Sequence, residues 1–301
     1  MHFCMDSRPN WNLYASFREV MRQGSLSAAA RALGLTQPTL GRHIVMLEGA
    51  LEAALFTRSP QGLSPTAAAF ELLPRVEEMH AAAEAAQRAV SGGPSGETGV
   101  VRVTASELVG GAVLPPILTA FRERHPGVVV ELVLTNRNED LLRRDADIAV
   151  RMVRPTQAAL IARRIGTVAI GLFAHRRYAE AHGLPRTVDE IADHPLIGFD
   201  RDEVSLRSVE DAGPFLRRER FAFRTDSDLA QLAALRAGFG LGGCQLGIAA
   251  DEPDLIPVLP DAARFELEMW LAMHEDQRPV ARVRAMFDHL ALALGEYARR
   301  R

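Results

Sequence analysis

Residues 25–51 read S-L-S-A-A-A-R-A-L-G-L-T-Q-P-T-L-G-R-H-I-V-M-L-E-G-A-L, and the fold of the first part of the chain turns on them. The stretch predicts two short helices joined by a tight turn. Ser25 or Ser27 can cap the first, because a hydroxyl accepts from an N–H left without a partner in the opening turn. Ala28, Ala29, Ala30, Ala32 and Leu33 favour helix, and small residues let a second helix come close. Gly34 suits the left-handed residue that ends a helix. Thr36 is the next cap, and Pro38 falls in a first turn, where no N–H is needed. Leu40, Ile44, Leu47 and Leu51 recur at spacings of four, three and four and line one stripe. At about 100° per residue, Pro38, Thr39, Arg42, Val45 and Met46 point away from it. A short helix with one buried stripe, packed on an Ala-rich helix through a Gly turn, is a helix-turn-helix whose outer face can enter a DNA major groove. On pattern alone, a helical hairpin that never meets nucleic acid is an equal alternative.

Outside this stretch the composition is that of an ordinary globular protein. The chain has 301 residues, 48% hydrophobic and 24% charged, a length that suits two domains or more. The net charge of −3 does not announce a nucleic-acid partner. Residues 1–66 carry six Arg against Asp6, Glu19, Glu48 and Glu52, a net of +2, so the remainder carries −5. All 35 basic residues are Arg. Cys4 and Cys244 offer neither metal-ligand spacing nor a disulfide framework. The start M-H-F-C-M-D-S-R-P-N lacks the basic and apolar regions of a signal peptide, and no apolar run reaches about 18 residues. The expected location is the cytoplasm.

In chain order, residues 1–10 read as a loose extension, and Asn12–Gln23 as a first helix with Leu13, Phe17, Val20 and Met21 inward. Leu55–Thr66, interrupted by Pro60 and Gly62, reads as a hairpin wing with Arg58 placed for a backbone phosphate, a contact that sets orientation more than sequence preference. Thr66–Val90 is one long helix, bent at Pro74. Leu72, Val76, Met79, Ala83, Ala86 and Val90 form an a/d seam that three heptads in one chain cannot bury, so a second copy is expected against it. Ser91–Gly99 is a hinge. Strands and helices then alternate, as in α/β lobes: strands at Val100–Thr104, Val128–Thr135, Asp147–Arg151, Leu160–Ile165 and Val168–Ala174, and helices at Gly110–His125 and Leu141–Arg144. Thr187–Ile191, Leu196–Phe199 and Arg220–Thr225 continue a second lobe, followed by a helix Ser227–Ala237, a Gly-rich strand Gly238–Cys244, strands Leu255–Leu259 and Phe265–Met273, and a last helix Pro279–Arg300.

The run G-S-L-S-A-A-A-R-A-L-G-L-T-Q-P-T-L-G-R-H-I-V-M-L-E, with the later L-F-T-R-S-P-Q-G-L-S-P-T, resembles the winged helix-turn-helix of LysR-type transcriptional regulators and covers most of residues 11–70. R-V-T-A-S, V-L-P-P-I-L-T-A-F-R-E-R-H-P, D-A-D-I-A-V-R and L-R-A-G-F-G-L-G resemble that family's effector domain, itself similar to a type 2 periplasmic binding protein. Three residues depart from the pattern: Gly41 stands where the family usually has Ser, and Glu52 and Ala69 where it usually has Gly. The last two should strain turns by about 1 kcal/mol each.

The resemblance implies an α/β chain with a DNA-binding head over 1–66 and a dimerising linker helix over 67–91. It implies an effector domain over 92–301, with lobe 1 near 92–166 and 266–301 and lobe 2 near 167–265. The DNA-binding set expected is Ser27, Gln37, Pro38, Thr39, Arg42, His43 and Arg58. A small ligand in such a fold sits between lobes, at strand ends and helix N-termini that favour an anion. Ser106, Thr135, Asn136, Phe199, Asp200, Thr225 and Asp226 occupy such ends. The resemblance puts effector contacts at Ser106, Thr135 and Phe199, and a small organic acid is the effector class expected. Gln245 stands where the family often has Pro; it either adds a polar group to the cleft or caps the helix that follows. No catalytic constellation, cofactor fingerprint or metal spacing is legible, so no enzyme is expected. The partners implied are double-stranded DNA, a small-molecule effector and a second copy of the chain, as homodimer or homotetramer. The rival readings are a cytoplasmic solute-binding protein with a helical dimeriser and a two-lobed α/β transferase; neither needs Gln37–Arg42 or a wing.

Overall fold

Phe17, Leu40, Leu47 and Leu55 are fully buried and gather the head around one core. The computed structural model describes residues 9–59, 62–90, 98–136, 146–155, 160–203, 205–207, 216–261 and 264–300. It divides into two compact units, one ending at Gln87 and the other beginning at Arg88, and the division falls in the last turn of the linker helix.

The first unit runs α1 (Trp11–Gln23), α2 (Leu26–Ala32), α3 (Gln37–Leu51), β1 (Phe56–Ser59), β2 (Gly62–Pro65) and α4 (Ala67–Val90). Its caps follow from local chemistry. Ser25 Oγ accepts from the Ala28 N–H at 3.2 Å, so Ser25 caps α2. Ser27 instead donates to Gln37 Oε1 at 3.1 Å. Gly34 is left-handed at φ 64°, and Thr36 caps α3 through the Thr39 N–H. β1 and β2 form the two-stranded wing, antiparallel, with Arg58 opposite Leu63. Glu48 Oε1 accepts from the Leu55 and Phe56 N–H groups and fixes the wing to the end of α3.

The expected strain is found at Glu52, which ends α3 with φ 51°. It is absent at Ala69, a buried residue in the first turn of α4 whose N–H is bonded by Thr66. The seam expectation also needs correcting. Val76 is 1% exposed and belongs to the head's own core, with Leu72 and Leu73 packed alongside. The same stretch of α4 is tied to α1 by the Arg18–Glu77 ion pair at 2.7 Å and by Trp11 stacked on His80. Met79 is exposed, as is Ala86. The side chain of Val90 lies outside the described residues.

The second unit holds one sheet in the order β4-β3-β5-β11-β6-β9-β7-β8, with β10 paired to β6. Its elements are β3 (Gly99–Ala105), α5 (Leu114–Arg124), β4 (Val128–Leu134), β5 (Ile148–Arg151), β6 (Leu160–His175), α6 (Arg176–His182), β7 (Leu196–Gly198) and β8 (Phe221–Arg224), then α7 (Asp228–Arg236), β9 (Leu241–Gln245), α8 (Leu246–Ala249), β10 (Leu255–Val258), β11 (Arg264–His274) and α9 (Ala281–Ala298). β3, β4 and β5 are parallel and mark lobe 1; β7, β8 and β9 are parallel and mark lobe 2.

Two strands pass through both lobes. β6 is continuous where two strands were expected, and it pairs with β11 along nearly its whole length. The register slips once, between Met269 and Trp270, opposite Gly166 and Arg164, so the lobes join there. α5 is preceded by a π-helical stretch, Val109–Val113, where plain α-helix was expected. Pro115 and Pro116 lack the N–H groups that would close α-turns onto residues 111 and 112. The last N–H before them, that of Leu114, reaches back five residues to Val109. Residues 189–193 form a 3-10 turn, and Gly238 turns at φ 76° before β9 begins at Leu241. The helix expected at Leu141–Arg144 lies outside the described residues.

Candidate functional site

The head presents one face of α3 to solvent. Leu40, Ile44 and Leu47 are buried, and the opposite side carries Pro38, Arg42, Val45 and Met46. Gln37 is exposed at the first position and accepts from Ser27, so the N-terminus of α3 and the start of α2 share one polar rim. The hydroxyls of Thr36 and Thr39 lie 2.8 Å apart on the same rim. His43 is half-buried: its Nδ1 meets Ser16 Oγ at 2.7 Å, which locks α3 onto α1. Arg58 lies on β1; its side chain is outside the described residues. Six of the seven residues expected to touch DNA therefore have a described placement. Ser27, Gln37, Pro38, Thr39 and Arg42 share the outer surface, and His43 has a ring atom committed inside.

In the second unit a chain of hydrogen bonds draws the expected effector residues together. The Thr135 N–H donates to the Ala105 carbonyl at 2.9 Å, so Thr135 and Asn136 lie beside Ser106. Asn136 Oδ1 accepts from the Glu107 N–H at 3.0 Å. On the lobe 2 side, the Thr225 N–H donates to the Gly198 carbonyl at 3.0 Å, which brings Thr225 next to Phe199. Thr225 Oγ1 accepts from the Ser227 N–H. Asp226 accepts from the backbone of Asp200, Arg201 and Asp202. Burial alone would raise its carboxyl, but these N–H groups and the Arg201 charge hold it below the usual range.

The lobes meet directly at this place. Ser227 Oγ donates to Glu107 Oε2 at 2.7 Å, and Asn136 Nδ2 donates to Asp228 Oδ2 at 3.0 Å. Leu229 packs closely over Gly111: a Cβ there would stand 2.8 Å from its Cδ2 methyl, which would have to shift. Burial pushes the Asp228 carboxyl up to about 6; the Asn136 bond pulls it down, and the charges of Glu107 and Asp202 push it further up. This bridge across the lobes was not legible in the sequence, where Glu107 and Asp228 lie far apart.

Gln245 departs from its expected role. It is 3% exposed, and its Oε1 accepts from the Tyr297 hydroxyl at 2.6 Å. It makes no side-chain cap for α8. The amide oxygen therefore anchors α9 to β9 rather than facing the strand ends. Cys244 beside it is buried, which pushes its thiol up to about 12, far from a reactive thiolate. Among the described residues no group of His, Cys, Asp and Glu could hold a metal ion, and no helix is long and apolar enough to cross a membrane.

Comparison with known proteins covers both units. Residues 94–294 match the LysR substrate binding domain, and residues 11–70 match the lysR family of bacterial regulatory helix-turn-helix proteins. The HTH-type transcriptional regulator CrgA of Neisseria meningitidis serogroup C is 28% identical over 294 residues, which span 93% of this chain and 95% of that one. A probable HTH-type transcriptional regulator, LtrA of Klebsiella pneumoniae, is 26% identical over 288 residues, 92% of each chain. Among solved structures, CbnR, a LysR family transcriptional regulator, superposes with a TM-score of 0.69 at 20% identity, covering 94% of this chain and 99% of that one.

Proposed function

Because the chain belongs to the LysR family of transcriptional regulators, we propose that its head reads operator DNA through the outer face of α3 while its two-lobed body answers a small molecule bound at the lobe junction. The observation that carries the reading is the division of α3 into a buried stripe and an opposite face bearing Pro38, Thr39 and Arg42. Arg42 is the base-reading residue in this proposal, since Arg bidentate to guanine discriminates by roughly 1–3 kcal/mol. Ser27, Gln37 and Thr39 flank it, His43 holds the helix, and Arg58 supplies a phosphate contact. CbnR has been solved with its target DNA, which supports the same role for this head. The chain works in the cytoplasm as a homodimer or homotetramer, with no catalytic activity of its own.

Ser106, Thr135, Phe199 and Thr225 form the effector set; Gln245 is left out because Tyr297 occupies its oxygen, and Asn136 because both ends of its amide are committed to the lobe bridge. The effector class is a small organic acid or similar polar metabolite, received by the Ser106 hydroxyl and the backbone N–H groups near it. An acid placed there meets Glu107 and Asp228 as like charges. Binding of an acid and parting of the lobe bridge would therefore go together. The test uses the full-length chain and duplexes selected from a random library. Arg42→Ala should lower affinity for selected duplexes at least tenfold more than for unselected ones. Equal losses would move Arg42 to the phosphate class and leave base reading without its residue.

A further inference from the structure

The outer face of α3 continues past Arg42 as an apolar surface. Val45 is 60% exposed and Met46 is 51% exposed. With Pro38 as the reference, Arg42, Val45, Met46 and Gly49 all fall within about 80° around the helix, opposite Leu40, Ile44 and Leu47. Gly41 and Gly49 border this surface with open space above them. Arg42 is the only formal cation in Gln37–Leu51. Glu48 is turned away, its carboxylate bonded to the backbone of Leu55 and Phe56. This face therefore offers DNA one charge and a run of methyl and thioether groups.

In the major groove the apolar group that discriminates between bases is the thymine 5-methyl. Phosphates do not attract Val or Met, and a helix face held only by phosphate contacts would carry more cations than one. We propose that Val45 and Met46 are specificity-determining residues that pack against thymine methyl groups, so that the operator half-site carries A·T pairs beside the pair read by Arg42. The inference rests on the DNA-reading role of α3 proposed above. Met46 is unbranched and adapts its thioether to the local groove, whereas Val45 is stiff and sets the closer limit of approach.

The experiment uses the full-length protein and duplexes selected by it from a random library. Each thymine of the selected site is replaced singly by deoxyuridine, which lacks only the 5-methyl. Binding should weaken about fourfold, the worth of one buried methyl group, at one or more positions in each half-site. In Val45→Ser or Met46→Gln that penalty should vanish at the matching position, while the dependence of affinity on salt stays the same because no phosphate contact has changed. Both side chains are exposed, so neither substitution removes core packing. Equal binding of every deoxyuridine duplex by the parent protein overturns the proposal without any variant. A penalty that persists in both variants also overturns it and assigns the methyl contact to Thr39. A library that yields no preferred sequence removes base reading by α3 altogether, an outcome distinct from a preferred sequence that tolerates deoxyuridine throughout.

Discussion

Glu52 is the residue whose backbone works against its side chain. At φ 51° a Cβ crowds the following carbonyl, and a glycine there would not. Its carboxylate has no described hydrogen bond that offsets this. We expect Glu52→Gly to stabilise the head by about 1 kcal/mol, read as a higher urea midpoint in the transition that reports Trp11; an unchanged or lower midpoint rejects the strain. Asp228 supplies a second test. Its folded-state carboxyl lies at about 6 against 3.8 for the free group, so between those values the native chain holds a proton that the unfolded chain releases. The contribution of Asp228 to stability is then fully present below about pH 4 and is lost as pH rises through 6, by up to about 3 kcal/mol. Asp228→Asn should raise stability at pH 8 and much less at pH 4.5; a gap independent of pH would mean that Asp228 titrates normally. Caps such as Ser25 and Thr36 were legible because their partners lie three residues away. The Gln245–Tyr297 bond was not, because its partners lie 52 residues apart and only the packing of α9 brings them together.

Among the elements, α4 shows where periodicity misleads. A 3.5-residue repeat states that one stripe is apolar and leaves open what covers it. Here α1 covers the N-terminal part through Val76, Glu77 and His80, and what remains for a second copy begins at Met79. Two substitutions on the same stripe should therefore behave differently. Val76→Glu buries a charge in the head and should unfold it, seen as a lost or strongly lowered first thermal transition. Met79→Glu should leave the fold intact and shift sedimentation toward monomer by opposing like charges across the copies. If Met79→Glu sediments as the parent does, the dimer seam lies elsewhere. The helix-turn-helix was readable because its caps, turn and stripe are all local. The π-helical stretch before α5 was signalled only by Pro115 and Pro116, and reading it required knowing that the helix starts just after Ser106.

Over the whole body, the lobe bridge is the feature that would tie ligand to shape in the function proposed above. Asn136 serves it twice, accepting from Glu107 and donating to Asp228. Asn136→Ala removes both bonds and should shift the lobes toward the parted arrangement. Any acid that favours that arrangement should then bind several-fold tighter by calorimetry on the full-length protein, since part of the opening cost is already met. Weaker binding would show Asn136 to be a ligand contact and not a latch. The alternation of strands and helices made the two-lobed body legible, and the crossing at Gly166 was close to its expected place. The return crossing, expected near residue 265, comes at a bulge at Met269–Trp270 that no residue type announces.

That return crossing also sets a timetable. β5 emerges from the ribosome by residue 151, yet its neighbour in the sheet, β11, does not begin until residue 264. At roughly 5–20 residues per second, the edge of β5 waits about 6–20 s for its partner during synthesis. The head and most of the second lobe have by then been made, so the lobe begun first is completed last. An unpaired strand edge is a template for wrong pairing. Nascent chains arrested before residue 264 should thus be cut readily by protease within residues 99–151, and chains arrested beyond α9 should resist. Equal protection at both lengths would show that lobe 1 closes without β11.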